Sequence, residues 1–106
     1  MSNVYKKLAQ GIIGVSEGTL YTVPSGSQAI IKKIVLANVS GSDCWAKLFD
    51  GGAADSNVIL PQITIEAGGF GEWTGGSLTM FGGGTIQGVA ETAASIAYTI
   101  YGTEKS

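Results

Sequence analysis

The run Ala29-Ile30-Ile31-Lys32-Lys33-Ile34-Val35-Leu36-Ala37-Asn38-Val39 decides how this chain folds. Its β-branched residues suit a pleated, half-buried surface. Turn residues bound it, Pro24-Ser25-Gly26 before and Ser40-Gly41-Ser42-Asp43 after. Simple alternation puts Ala29, Ile31, Lys33, Val35, Ala37 and Val39 on one face and Ile30, Lys32, Ile34, Leu36 and Asn38 on the other. Both faces are then mostly apolar, unlike an antiparallel strand with one wet face. Either the strand is covered on both sides within the fold, or one face meets another subunit. In a chain of 106 residues with little helix to spare, the subunit is the favoured reading. The expected self-interface is therefore Ile31, Ile34, Val35 and Leu36, from whichever face is not core.

Outward from this run, the chain repeats one pattern of short apolar segments between turn residues. Breaks fall at Glu17-Gly18, Asp50-Gly51-Gly52, Ala67-Gly68-Gly69, Gly75-Gly76, Gly82-Gly83-Gly84 and Glu91-Thr92. Regular spacing of this kind marks a sandwich or barrel. Candidate strands cover residues 19–23, 44–49, 58–65, 78–81, 85–90 and 95–101. The last is the cleanest, with Ile96, Tyr98 and Ile100 on one face and Ala97, Thr99 and Tyr101 on the other. Pro61 cannot donate to a ladder, so residues 58–65 belong on an edge or at a bulge. Residues 90–95 suit a helix for about one turn, too short to persist alone. Residues 1–10 read as an N-terminal arm or an edge strand, and residues 11–106 as one sandwich domain. The fold class is all-β: a single antiparallel β-sandwich of about eight short strands, of a jelly-roll-like kind.

Composition narrows the function. Seventeen glycines stand among 106 residues, and all six basic residues are lysines. With 44% apolar and 13% charged residues, the chain is too hydrophobic for a disordered tail. Glycine lacks the every-third spacing of collagen. A net charge of −2 and a pI near 4.8 argue against a nucleic-acid partner. Charge is uneven, with residues 1–53 at +2 and residues 54–106 at −4. A head-to-tail contact between basic and acidic surfaces follows as one reading of that split. No apolar run approaches the roughly 18–20 residues that span a bilayer, so no membrane partner is expected. The first residues lack the hydrophobic region and cleavage site of a signal peptide. The expectation is a soluble protein made in the cytoplasm.

Catalytic chemistry finds little to work with. A nucleophilic triad needs a base, most often histidine, and there is none. Cys44 reads as a small hydrophobe at a strand start and, being alone, closes no internal disulfide. Asp50 with Asp55, and Glu66 with Glu72, sit in or beside glycine-rich loops, where solvated carboxylates are ordinary. Zinc wants thiolate and imidazole ligands, and the Asp50–Asp55 loop lacks the calcium-hand spacing. Gly82-Gly83-Gly84 is followed by neither a phosphate-loop lysine nor a dinucleotide fingerprint. Asn38-Val39-Ser40 fits a glycosylation sequon, discounted without a secretion signal. Trp45 and Trp73, each beside a loop, are the candidates for a sugar-stacking platform, although core or interface packing is the commoner fate of such aromatics. No enzyme, cofactor or metal is expected.

Residues 21–41, Tyr21-Thr22-Val23-Pro24-Ser25-Gly26-Ser27-Gln28 followed by the long run and Ser40-Gly41, resemble a segment of small virion structural proteins of tailed bacteriophages. The shared features are a strand, a Val-Pro-x-Gly turn, and a long strand ending in an Asn-x-Ser-Gly corner. Pro24 pre-sets φ for the turn, and Asn38 can bond the backbone of the turn that follows it. The closing segment, with Thr92-Ala93-Ala94 and the strand from Ile96 to Tyr101, is similar too. The resemblance spans roughly residues 19–49 and 78–104. It implies a capsid decoration or cement protein, commonly a trimer, on the virion and at the capsid surface rather than the tail. Implied partners are its own copies and the major capsid protein or another virion protein. A tail, baseplate or fibre-associated β-module, or a carbohydrate- or receptor-binding module, is the alternative. Tyr5, Lys6 and Lys7 are the expected capsid contact, their lysines meeting an acidic coat surface.

Overall fold

Nine strands carry the regular structure of the computed structural model, which describes residues 6–51, 57–74 and 78–105. They are β1 (Lys6–Ile13), β2 (Gly18–Thr22), β3 (Gln28–Asn38), β4 (Cys44–Asp50), β5 (Val58–Ile65), β6 (Phe70–Trp73), β7 (Leu78–Phe81), β8 (Thr85–Ala90) and β9 (Ile96–Lys105). The larger sheet runs β1-β9-β3, with β6 and β7 on the far side of β3. The smaller runs β2-β8-β4-β5. All pairings are antiparallel. β6 pairs with residues 34–37 and β7 with residues 28–31, so the two lie end to end as one interrupted edge strand. Counted that way there are eight strands. The first pairs with the last, the second with the one before it, and so inward to β4 with β5. This is a long hairpin rolled into two sheets, a double Greek-key jelly roll.

The two apolar faces of β3 are one face that changes phase. Ile31 pairs with Gly102 and Lys33 with Tyr101, leaving Lys32 as the extra residue of a β-bulge. Before the bulge Ala29 and Ile31 point inward, and after it Ile34, Leu36 and Asn38 do. Ile31, Ile34 and Leu36 are 0% exposed within a single chain. They join Ile13, Leu48, Ile86, Ile96 and Ile100 in the core between the sheets. A second subunit is therefore not needed to explain the apolar content of this strand. Of the four residues expected at a self-interface, only Val35 faces outward.

β1 bulges at the same level, with Leu8 between Lys7, opposite Tyr101, and Ala9, opposite Ile100. Both neighbours of β9 thus bend around Tyr101 and Gly102. A Cβ on Gly102 would lie 2.1 Å from the Ile30 carbonyl oxygen, so glycine alone lets β3 approach this closely. Residues 6–10 take the edge-strand form and continue without a break to Ile13, so residue 10 bounds no domain. Pro61 lies where it was expected, on the edge strand β5 at a register shift. β6 was not legible: Phe70-Gly71-Glu72-Trp73 is short and flanked by glycines on both sides, which reads as loop.

Rolling the hairpin gathers loops at two ends. Segments 14–17, 39–43, 66–69 and 91–95 meet at one, tied by Val39 N–H to Ser95 O, Asn38 N–H to Gly69 O and Ala90 N–H to Gly14 O. The turns at 23–27 and 82–84 and the end of β4 form the other. Asn38 anchors the first end. Its buried side-chain amide donates to Ser42 O (2.8 Å) and Ile65 O (2.9 Å), while its Oδ1 accepts from Ser40 N–H and Ser40 Oγ. An amide so placed is closed to glycosylation.

Candidate interaction surface

Strand register places the outer face of the larger sheet in rows. Ile12 stands opposite Ala97, Ala97 opposite Ala37, and Ala37 opposite Phe70. Ile12 is 52% and Phe70 70% exposed, while the alanines between them offer only methyl groups. With strands about 4.8 Å apart, the two large side chains stand about 14 Å from each other across four strands. The result is a shallow apolar trough, which exposed Val39 continues two residues beyond Ala37. The next row is Gln10, Thr99, Val35 and Glu72, and the one after is Lys7, Tyr101 and Lys33. The face grades from apolar to charged along the strands.

Charge separates along the same direction. The four loops at the trough end carry Glu17, Asp43, Glu66 and Glu91 and no lysine. All four side chains lie in exposed positions. Asp43 Oδ1 accepts from Ala67 N–H (3.1 Å) and Glu91 Oε1 from Trp45 N–H (3.2 Å), which fixes two of the carboxylates. Toward the other end, β1, β3 and β9 bring together Lys6, Lys7, Lys32, Lys33 and Lys105. Lys33 pairs with Glu72 at 2.9 Å and Lys6 with Glu104 at 3.3 Å. Asp50, in the smaller sheet, is a further described carboxylate at that end.

Two tyrosines join the sheets beside β1 and β2. Tyr98 donates from its hydroxyl to the Leu20 carbonyl at 2.9 Å. Leu20 is the extra residue of a bulge in β2, so this bond serves a carbonyl that the ladder leaves over. Gly11 makes room for the ring, since a Cβ there would lie 3.2 Å from it. Tyr21 donates to Glu104 Oε2 at 2.5 Å. Burial, then the hydrogen bond and charge of Glu104, push the Tyr21 hydroxyl well above its ordinary value, and burial raises that of Tyr98.

The other residues singled out from sequence fall in separate places. Lys6 and Lys7 are exposed at the start of β1, and Tyr5 lies outside the described residues. Trp73 pairs with inward-facing Ile34 and packs against the core of the larger sheet's edge. Trp45 lies on the smaller sheet, opposite Thr64. The two indoles therefore share no face on which a sugar would stack. Cys44 is buried in the core. Asp50 accepts at its carbonyl from Asn57 Nδ2, and Asp55 lies outside the described residues. No group of three metal-ligating side chains occurs among the described residues. What the sequence left unseen is the trough itself, because Ile12, Ala37, Phe70 and Ala97 come from four strands whose register only the folded sheet sets.

The fold and surface define a jelly-roll β-sandwich with one apolar, acidic end and one lysine-bearing end. No protein-family model matches the sequence, and a search of curated proteins gives no match. Solved structures do match. A chain from the acid-stable capsid structure of Helicobacter pylori bacteriophage KHP30 aligns over 100% of this chain and 89% of its own length, with TM-score 0.60 and 13% identity. A chain from the Bacillus endospore appendages, described as disulfide-linked pili, aligns over 99% and 88% with TM-score 0.59 and 16% identity. At these identities the likeness shows a shared fold.

Proposed function

We propose that this chain is a structural protein of a tailed-bacteriophage virion that binds the outer surface of the head and stabilises it. The observation that carries the reading is the end-to-end fold match to a chain of a phage capsid structure. The segments at residues 21–41 and 92–101 support it through their resemblance to small phage virion proteins. Apolar burial does most of the holding, at about 25 cal/mol per Å² before the costs of association. Lys6 and Lys7, exposed at the start of β1, present positive charge to an acidic coat surface. Such contacts steer encounter and weaken with salt. The protein performs no catalytic step.

The test uses heads of the encoding phage assembled without this protein. Purified protein is expected to cosediment with them saturably and to raise the temperature at which they release DNA. The Lys6→Glu/Lys7→Glu double variant should bind several-fold more weakly, with most of the loss at low ionic strength. Binding to isolated tails and not to heads would overturn the head assignment in favour of a tail-associated module.

A further inference from the structure

The trough is an unpartnered sheet face, and the same molecule carries a knob that suits it. Four of the five exposed large hydrophobics among the described residues, Ile12, Val15, Val39 and Phe70, lie at the acidic end. The fifth, Phe81, is 62% exposed at the opposite end. Register puts it in one row with Gln28 and Lys105 across β7, β3 and β9. One end therefore offers a methyl-floored trough on the larger sheet, at the same end as the four loop carboxylates, which adjoin strands of the smaller sheet. The other offers an exposed aromatic ring in one row with a lysine. We propose that the trough receives Phe81 of a second copy of this chain, so that copies associate head to tail.

Charge complementarity selects this occupant. The trough-end loops carry four carboxylates and no lysine, so two trough ends brought face to face would repel each other. Two lysine ends would repel more weakly, since Glu72, Glu104 and Asp50 offset three of the five lysines. Trough end against lysine end is the arrangement in which both the apolar and the charged groups are matched. Trough and Phe81 both lie on the outer face of the larger sheet. Two copies packed face to face with strands antiparallel therefore make the contact twice, whereas a staggered pair makes it once and leaves one trough and one Phe81 free. Repeated, the staggered contact closes into a ring if its rotation divides a full turn, and otherwise extends as a filament. The inference deepens the proposed virion role by stating how copies join. It is tested on the purified chain without capsids, so its failure is distinguishable from failure of capsid binding.

The experiment measures native mass by light scattering for the wild-type chain, for Phe70→Ser, which spoils the trough, and for Phe81→Ser, which removes the knob. Thermal melts establish that each variant is folded. Should either substitution unfold the chain, Ile12→Thr replaces the first and Lys105→Glu the second. Wild-type mass should exceed one chain and fall as ionic strength rises. Each variant alone should give one chain, because each retains only one half of the contact. An equimolar mixture should give two chains and nothing larger, since the intact trough of one meets the intact knob of the other. A wild-type mass of one chain at every concentration would overturn the proposal. So would a variant that still self-associates alone, or a mixture that stays at one chain. Capsid binding lost in Phe70→Ser with the wild type a monomer would assign the trough to the coat instead.

Discussion

Gly102 sits where three strands bend together, and its missing side chain is what the bend requires. Placing a methyl 2.1 Å from the Ile30 oxygen forces β3 away from β9 along its bulge. Gly102→Ala should therefore lose about 3 kcal/mol in denaturant unfolding, at the upper end for overpacking because the obstacle is backbone. Asn38 is a second such residue. Asn38→Ala strands the carbonyls of Ser42 and Ile65 and removes the acceptor for Ser40, so a loss of about 2–3 kcal/mol is expected by the same measurement. Tyr21 sets a pH dependence. Its folded hydroxyl titrates above the unfolded value near 10, so the fold favours the neutral form. That stabilisation is complete below pH 10 and is lost as pH climbs from there toward the folded value, by about 1.4 kcal/mol per unit. Tyr21→Phe should flatten the alkaline limb of a stability–pH curve, leaving the share due to Tyr98. An unchanged limb would show that burial and Glu104 together do not hold the Tyr21 hydroxyl in its neutral form.

At the scale of elements, the bulges explain both what the sequence revealed and what it concealed. β9 alternates without interruption, and Ile96, Tyr98 and Ile100 point inward as their spacing requires. Pro61 signalled an edge strand because a missing N–H has few places to go. In β3 the same alternation misleads, because nothing in Lys32-Lys33 distinguishes a bulge from two ordinary strand residues. The clue is indirect: apolar positions at 29 and 31 and then at 34 and 36 keep a period of two on either side of one inserted step. Deleting Lys32 should consequently remove the inserted step and leave both halves of the strand in one phase, with Ala29, Ile31, Ile34 and Leu36 still facing the core. That variant is expected to keep a cooperative thermal transition. Inserting one alanine after Val35 instead turns Leu36 and Asn38 outward or breaks their pairing with Tyr98 and Ile96, and is expected to abolish the transition. An insertion variant that melts near the wild-type temperature, or a Lys32 deletion that does not fold, would contradict the phase change.

For the whole molecule, the jelly roll turns a scattered charge pattern into a polar object. The halves of the sequence differ in net charge, but the halves do not correspond to ends. It is the rolled hairpin that collects Glu17, Asp43, Glu66 and Glu91 at one end and five lysines toward the other. The trough was illegible for the same reason, being built from four strands with one residue each. Trp45 and Trp73 were visible as candidates because aromatics stand out in any sequence, yet topology puts them on different sheets. A surface that is apolar and acidic at one end and lysine-bearing at the other suits the proposed role of holding copies and a shell together. The most direct test of that role is to separate purified virions of the encoding phage into heads and tails and to count this chain in each by quantitative mass spectrometry. The prediction is a high copy number on heads, in fixed ratio to the coat protein, and none on tails. Its absence from heads, or confinement to tails, would contradict the assignment.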